Sequence, residues 1–87
     1  MSRPYVPINC EFHDVLEATA IRRRLASFTL RDDGGAHRTL LARIADLHAR
    51  DGAEYMRLDD GSEVRLDRIA AVDGIEAARF ADACRVA

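Results

Sequence analysis

Residues 54–66 read EYMRLDDGSEVRL, and this stretch decides the fold class. Its two halves, Glu54–Leu58 and Ser62–Leu66, alternate polar and apolar residues around the tight turn Asp59–Gly61, a pattern typical of a β-hairpin. Within each half the large apolar residues share one face: Met56 and Leu58, then Val64 and Leu66. The sequence therefore predicts two antiparallel strands here.

Further strands are predicted on both sides of this hairpin. Leu25–Arg31 contains β-favouring Phe and Thr residues and is closed by the turn-forming run Asp32–Gly35, so a first hairpin is expected from Leu25 to about Ala45. Ile69–Val72 is another short apolar run.

The segment His37–Arg50 is ambiguous by pattern alone. Its apolar residues and one histidine also fit the spacing of a helix: Leu40, Leu41, Ile44, Leu47 and His48. Local periodicity by itself favours a helix in this segment.

A helix is predicted from Asn9, whose side chain is a good N-cap. Its buried stripe is Phe12, Val15, Leu16 and Thr19. Three acidic residues at helical spacing point away from that stripe: Glu11, Asp14 and Glu17. A C-terminal helix is expected after Asp73–Gly74, with the stripe Ala77, Phe80, Ala81 and Cys84.

Composition and length limit the possible functions. Eighty-seven residues form one domain, 1–87, with one small core and little room for a deep substrate cavity. The formal net charge of −2 would not attract a polyanion. The N-terminus lacks the apolar core of a signal peptide, and the two cysteines show no disulfide-scaffold spacing, so a cytoplasmic protein is expected.

Each chemically suggestive cluster has a simpler interpretation. Cys10, His13 and Asp14 resemble the nucleophile, base and acid of a thiol enzyme. Side chains within one helical turn point outwards in different directions, however, and do not form a pocket. Cys10 is therefore interpreted as a small buried hydrophobic residue and His13 as a solvated side chain. No second ligand pair stands at zinc spacing, so no metal is expected. The run Arg22–Arg24 lacks interleaved aromatics and is interpreted as a solvated helix end.

Taken together, these residues resemble the Rho-binding antiterminator (Rof) family of small bacterial proteins. The matching residues, in order, are Tyr5-x-Pro7-Ile8-Asn9-Cys10, Asp14-x-Leu16-Glu17, the Asp33–Gly34 turn, Asp46–Leu47, Glu54–Tyr55 and Arg65-Leu66-Asp67-x-Ile69. The match runs from Tyr5 to about Val72, and its most specific part is the PINC block with the acid pair that follows. The tail Ile75–Ala87 has no counterpart in the pattern.

The resemblance implies an Sm-like fold, in which an N-terminal helix caps a bent antiparallel sheet of about five strands forming a small barrel or sandwich. It therefore favours strand over helix for His37–Arg50, with Asp46–Arg50 turning out of the sheet. It also implies a non-catalytic inhibitor that covers the RNA-binding surface of the N-terminal domain of transcription termination factor Rho and so reduces termination. The expected Rho-contacting residues are Asn9, Cys10, Glu11, Asp14 and Glu17.

The chemistry of the helix agrees with this implication, because a groove that holds RNA is basic and a row of carboxylates can compete for it. We expect no cofactor, no metal, no direct contact with nucleic acid or membrane, and a monomer when free. Two alternatives stay open: an Sm-like module that binds RNA through Arg22–Arg24, Arg38 and Arg43, and a thiol enzyme that uses Cys10.

Overall fold

The computed structural model describes residues 4–80, which form a mainly β protein with an N-terminal helix. In chain order the elements are α1 (Cys10–Ile21), β1 (Ala26–Arg31), β2 (His37–Ala42), β3 (Ile44–Arg50), β4 (Ala53–Leu58), β5 (Glu63–Arg65), β6 (Ile69–Val72) and β7 (Ile75–Glu76). Single 3-10 turns lie at Leu66–Arg68 and Ala77–Arg79. The predicted fold class is confirmed.

The strands form two antiparallel sheets. Sheet A has the order β2-β1-β6-β7, and sheet B has the order β3-β4-β5. The described chain thus has seven strands where about five were expected, and the sheets do not close into a complete barrel.

Helix α1 follows the predicted pattern closely. The Asn9 side-chain Oδ1 accepts a hydrogen bond from the Glu11 backbone N–H at 2.7 Å, which satisfies one of the free donors of the first turn. Phe12 and Leu16 are fully buried, and the Thr19 hydroxyl donates to the Val15 carbonyl at 2.8 Å. The buried stripe predicted for this helix is confirmed, with Val15 half-buried at its edge.

The β4–β5 hairpin is also as predicted. The Asp60 carboxylate accepts from the Ser62 backbone N–H at 2.8 Å, and Gly61 takes a φ of +90°, a value that favours glycine. Met56 lies opposite Val64 across the strand pair, and Met56 and Leu58 are buried. The alternation of apolar and polar residues in the sequence therefore corresponds to a buried face and an exposed face of the hairpin.

The ambiguous segment His37–Arg50 forms two strands, β2 and β3, which belong to different sheets. Leu41 is 69% exposed whereas Ile44 is 3% exposed, so the residues at helical spacing do not share one buried face. The expectation that Asp46–Arg50 leaves the sheet is wrong, because β3 pairs with β4 as far as Arg50 opposite Ala53. Asp51 and Gly52, both with positive φ, form the intervening turn.

The C-terminal segment begins differently from the predicted helix. Ile75–Glu76 is a strand paired with β6, and Ala77–Arg79 is a single 3-10 turn, so an α-helical stripe is not present up to residue 80. Phe80 packs against Phe12 with ring centroids 5.9 Å apart. The rest of the predicted stripe, Ala81 and Cys84, lies outside the described residues.

One hydrophobic core lies between the helix and the two sheets. Its largest fully buried side chains are Phe12, Phe28, Leu16, Met56, Leu66, Ile69 and Val72. Because α1 and both sheets contribute to this cluster, the helix is fixed against the β structure and its outer face has a defined position. Within residues 4–80 no helix is long and apolar enough to cross a membrane.

Candidate functional site

The acidic strip, defined as Glu11, Asp14 and Glu17, lies on the solvent side of α1. All three residues are exposed, while Phe12 and Leu16 on the other side of the helix are fully buried. The sequence prediction that these carboxylates point outwards is confirmed. Their contact with a partner stays a prediction.

The other two predicted contact residues lie at the start of the helix. Asn9 is half-buried, and its side chain is used as the N-cap. Cys10 is half-buried and disulfide-bonded, so it is neither a fully buried hydrophobe nor a source of thiolate in this state. These two residues border the acidic strip without extending its charge.

A cleft of about 220 Å³ lies beside the strip, between α1 and the β3–β4 hairpin. We call it the helix–sheet cleft. Its lining includes His13, Glu17, Leu47, His48, Glu54 and Tyr55. Glu17 thus belongs both to the acidic strip and to the cleft, and Glu54 adds a carboxylate from the sheet side.

His13 occupies the space between these two carboxylates. Its Nδ1 lies 2.7 Å from Glu17 Oε1, and its Nε2 lies 3.6 Å from Glu54 Oε2. The His13 side chain is 25% exposed, so the sequence interpretation of it as simply solvated is wrong. It bridges the helix and the sheet.

The segment before the helix is fixed by polar contacts to sheet B and to the 3-10 turn Leu66–Arg68. The Tyr5 hydroxyl donates to Glu54 Oε2 at 3.3 Å, and the Val6 backbone N–H donates to Asp67 Oδ2 at 3.0 Å. Partial burial, followed by the charge of Glu54 and this hydrogen bond, raises the pKa of Tyr5 to about 12. The phenol is therefore a neutral donor at physiological pH.

On the far side of the cleft, charged and aromatic side chains of β3, β4 and β5 contact one another. Tyr55 has the Arg50 guanidinium 4.6 Å from its ring centroid and the His48 ring stacked at 5.7 Å. The Glu63 carboxylate contacts both of these side chains: its Oε1 lies 3.1 Å from Arg50 Nη2, and its Oε2 lies 2.8 Å from His48 Nε2. The hydrogen bond from Arg50 lowers the pKa of Glu63, so this carboxylate is ionised and offsets the nearby positive charge.

Among residues 4–80, one group of side chains has ligand atoms close enough for a cation, namely His13, Asp14 and Glu17, within 4.8 Å of one another. Glu17 already accepts a hydrogen bond from His13, and both acidic residues are exposed. Close exposed carboxylates occur commonly without a metal. We assign no metal to this group.

Four of the arginines considered for direct RNA binding, Arg22–Arg24 and Arg43, lie at the opposite end of the helix. Arg43 Nε donates to the Arg23 carbonyl at 3.3 Å, which joins Arg22–Arg24 to the β2–β3 junction. Arg38 is exposed near the β1–β2 turn, opposite Leu30 in the strand register. Exposed aliphatic residues rather than aromatic rings accompany this group: Ile21, Leu25 and Leu41.

Comparison with known proteins adds no relative: no protein-family model matches the chain, and neither the curated proteins nor the solved structures include a match. The function must therefore be argued from the residues and their arrangement.

The predicted site residues did not include His13 and Glu54, which line the cleft, or Tyr5, which is hydrogen-bonded to Glu54. Tyr5 and Glu54 are 49 positions apart in sequence, and no local pattern connects them. The one available signal is that Tyr5 and Glu54–Tyr55 are both among the residues on which the predicted resemblance to the Rof family was based.

Proposed function

We propose that this protein inhibits Rho-dependent transcription termination by binding the N-terminal RNA-binding domain of Rho and preventing RNA from loading. The observation that carries the proposal is the exposed acidic strip on a helix whose opposite face is fully buried. The resemblance of Tyr5–Val72 to the Rof family supports the choice of partner. The protein would act in the bacterial cytoplasm as a monomer, without a cofactor and without catalysis.

Electrostatics gives the strip a physical role in this proposal. A surface that binds single-stranded RNA carries basic side chains for the phosphates, so the same side chains would attract Glu11, Asp14 and Glu17. Charge complementarity of this kind acts mainly on the rate and orientation of encounter. The rigid attachment of α1 to the core would keep the carboxylates in register with their partner groups.

The test is a binding experiment with purified Rho and the double variant Asp14→Arg plus Glu17→Arg. Reversing two charges should weaken binding to Rho by at least about tenfold, because like charges then face each other in the complex. A matched control is Asp59→Arg plus Glu76→Arg, which makes the same charge change at two exposed carboxylates outside the helix. The control should bind Rho much like the unmodified chain.

The readout should include competition with RNA as well as direct binding. The unmodified chain should displace single-stranded RNA from Rho, and displacement should weaken as salt rises, since exposed charges are screened over about 8–10 Å at physiological ionic strength. Equal displacement by the double variant, in a form whose thermal unfolding is cooperative, would exclude the acidic-strip mechanism.

A second candidate function is direct RNA binding at the arginine end of the helix. The observation in its favour is the contact between Arg43 and Arg23, which gathers four exposed arginines, Arg22–Arg24 and Arg43, on one surface. Its neighbours Leu25 and Leu41 offer no ring for base stacking, which counts against it. Tight binding of single-stranded RNA in the absence of Rho, lost in Arg23→Ala plus Arg43→Ala, would select this function.

A further inference from the structure

The N-terminal strap, defined as residues 4–8, exposes apolar surface beside the start of α1. Pro4, Val6 and Pro7 are exposed, and the Val6 side chain is 65% exposed. Ile8 faces inwards and packs against the core. The other large hydrophobic side chains that are exposed within residues 4–80 lie near the arginine end of the helix: Ile21, Leu25 and Leu41.

Polar contacts and proline geometry fix the strap in place. The Val6 backbone N–H donates to Asp67 Oδ2 at 3.0 Å, and Asp67 Oδ1 accepts from Arg65 Nε at 2.7 Å. The Asp67 side chain is 9% exposed, so both oxygens of a nearly buried carboxylate are used. The Arg65 guanidinium in turn lies 5.8 Å from the ring centroid of Tyr5. Pro7 also confines Val6 to an extended conformation.

This anchoring distinguishes Val6 from an ordinary exposed apolar residue, which by itself needs no explanation. The strap has no helical or strand hydrogen bonds of its own, and side chains from elsewhere in the fold hold it at Tyr5 and Val6. A segment that is ordered before binding loses less conformational entropy when a partner covers it. The strap therefore presents a small, rigid apolar surface.

The partner in the proposed function has chemistry that matches this surface. Proteins that bind single-stranded RNA combine basic side chains for the phosphates with aromatic rings on which the bases stack. The carboxylates of the acidic strip can pair only with the basic side chains. Proline-containing segments pack well against aromatic side chains. Pro7 and Glu11 are four residues apart, which limits their Cα separation to about 14 Å, so both surfaces can reach one RNA-binding site.

We infer that Pro4, Val6 and Pro7 pack on the aromatic side chains of Rho that otherwise stack RNA bases, while the acidic strip pairs with the neighbouring basic side chains. The inference rests on the proposed function and names a second contact within it. Asp67 is a positioning residue, because it is nearly buried and acts on the partner only through the Val6 backbone. RNA is then excluded from both its phosphate contacts and its base contacts.

The test is the affinity of Val6→Ala for the N-terminal domain of Rho at several salt concentrations. Losing part of a dry apolar contact should weaken binding about fivefold and leave the salt dependence unchanged, because no charge is removed. Leu41→Ala, a truncation at an exposed aliphatic residue of β2, is the matched control and should bind like the unmodified chain. Unchanged affinity in Val6→Ala would overturn the inference.

The positioning role of Asp67 needs a separate readout. Asp67→Ala should speed hydrogen exchange of the Val6 amide and weaken binding to Rho, but should cause little further loss in the Val6→Ala background, since both changes act on one contact. Losses that simply add would show that Asp67 has only a structural role. Val6→Ala changes an exposed side chain and so decides the strap contact even if Asp67→Ala does not fold.

These measurements separate the inference from the proposed function. If the unmodified chain binds Rho and Val6→Ala binds equally well, the strap contact is overturned and the proposed function stands. If Val6→Ala weakens binding but Asp14→Arg plus Glu17→Arg does not, the strap contact stands and the acidic-strip mechanism fails. If the unmodified chain does not bind Rho, both are overturned.

Discussion

The Tyr5 hydroxyl donates a hydrogen bond to Glu54 Oε2 at 3.3 Å, which fastens the segment before α1 to strand β4. The same Glu54 oxygen faces His13 Nε2 at 3.6 Å, so the N-terminal segment, the helix and sheet B all meet at one carboxylate. This junction adds polar contacts to the hydrophobic core that already holds α1 against the sheets.

Replacing Glu54 with Gln should lower the pKa of Tyr5 from about 12 towards its ordinary value. Burial, the largest cause of the shift, would remain, but the negative charge that opposes ionisation of the phenol would be gone. The titration can be followed by tyrosinate absorbance in a Tyr55→Phe background, where Tyr5 is the remaining tyrosine. An identical Tyr5 titration with Gln at position 54 would contradict the assigned cause.

Stability at high pH should depend on the same phenol. Because the pKa of Tyr5 is raised to about 12 in the folded chain, compared with its ordinary value of 10.0, the contribution of Tyr5 is fully present below pH 10 and is lost as pH rises through about 12. Tyr5→Phe should cost about 1 kcal/mol near neutral pH through the lost hydrogen bond, and should show a smaller loss of stability above pH 10. Urea unfolding of both proteins across this pH range measures the difference.

Removal of the helix cap should destabilise the chain. Asn9→Ala deletes the acceptor of the Glu11 backbone N–H and should lower the free energy of unfolding by about 1 kcal/mol. Asn9→Ser keeps a capping oxygen and is the matched control, with an expected change of a few tenths of that value. Urea denaturation with circular dichroism detects both effects, and equal loss in the two variants would show that the cap is not the cause.

Truncation should destabilise the chain far more at Leu16 than at Leu41. Leu16→Ala removes a fully buried side chain and should cost about 2–5 kcal/mol, whereas Leu41→Ala changes a residue that is 69% exposed and should alter stability by less than about 0.5 kcal/mol. Comparable losses would mean that Leu41 is buried, as the helical spacing of residues 37–50 had favoured. Chemical denaturation of both variants decides between these structures.

Acid titration of the β4–β5 turn should reveal the bond between Asp60 and Ser62. The Ser62 hydroxyl and backbone N–H donate to the Asp60 carboxylate and lower its pKa, so this contribution to stability is present above the ordinary pKa of an aspartate and is lost as pH falls. Ser62→Ala removes the hydroxyl and should raise the pKa of Asp60. Carboxyl-carbon NMR titration measures it, and an unchanged value would exclude the hydroxyl as the main cause.

Much of the site could be placed from the sequence because its elements are local. The spacing of Glu11, Asp14 and Glu17 against Phe12 and Leu16 is enough to predict an exposed acidic face. The cleft could not be predicted in this way, because it exists only where α1 meets the β3–β4 hairpin. Glu54 looks like an ordinary strand residue until Tyr5 and His13 are brought next to it.

The sequence by itself determined the N-cap at Asn9, the Asp60–Gly61 turn and the mainly β class, since each depends on hydrogen bonds or backbone angles within a few residues. Only the tertiary structure decided that residues 37–50 are two strands. The spacing of the apolar residues in this segment also fits a helix. The segment is β structure because its backbone pairs with β1 and β4, and a local sequence pattern cannot specify those partners. The helix–sheet cleft depends on tertiary structure for the same reason, because Glu17 and Glu54, which both line it, are 37 residues apart in the chain (54 − 17).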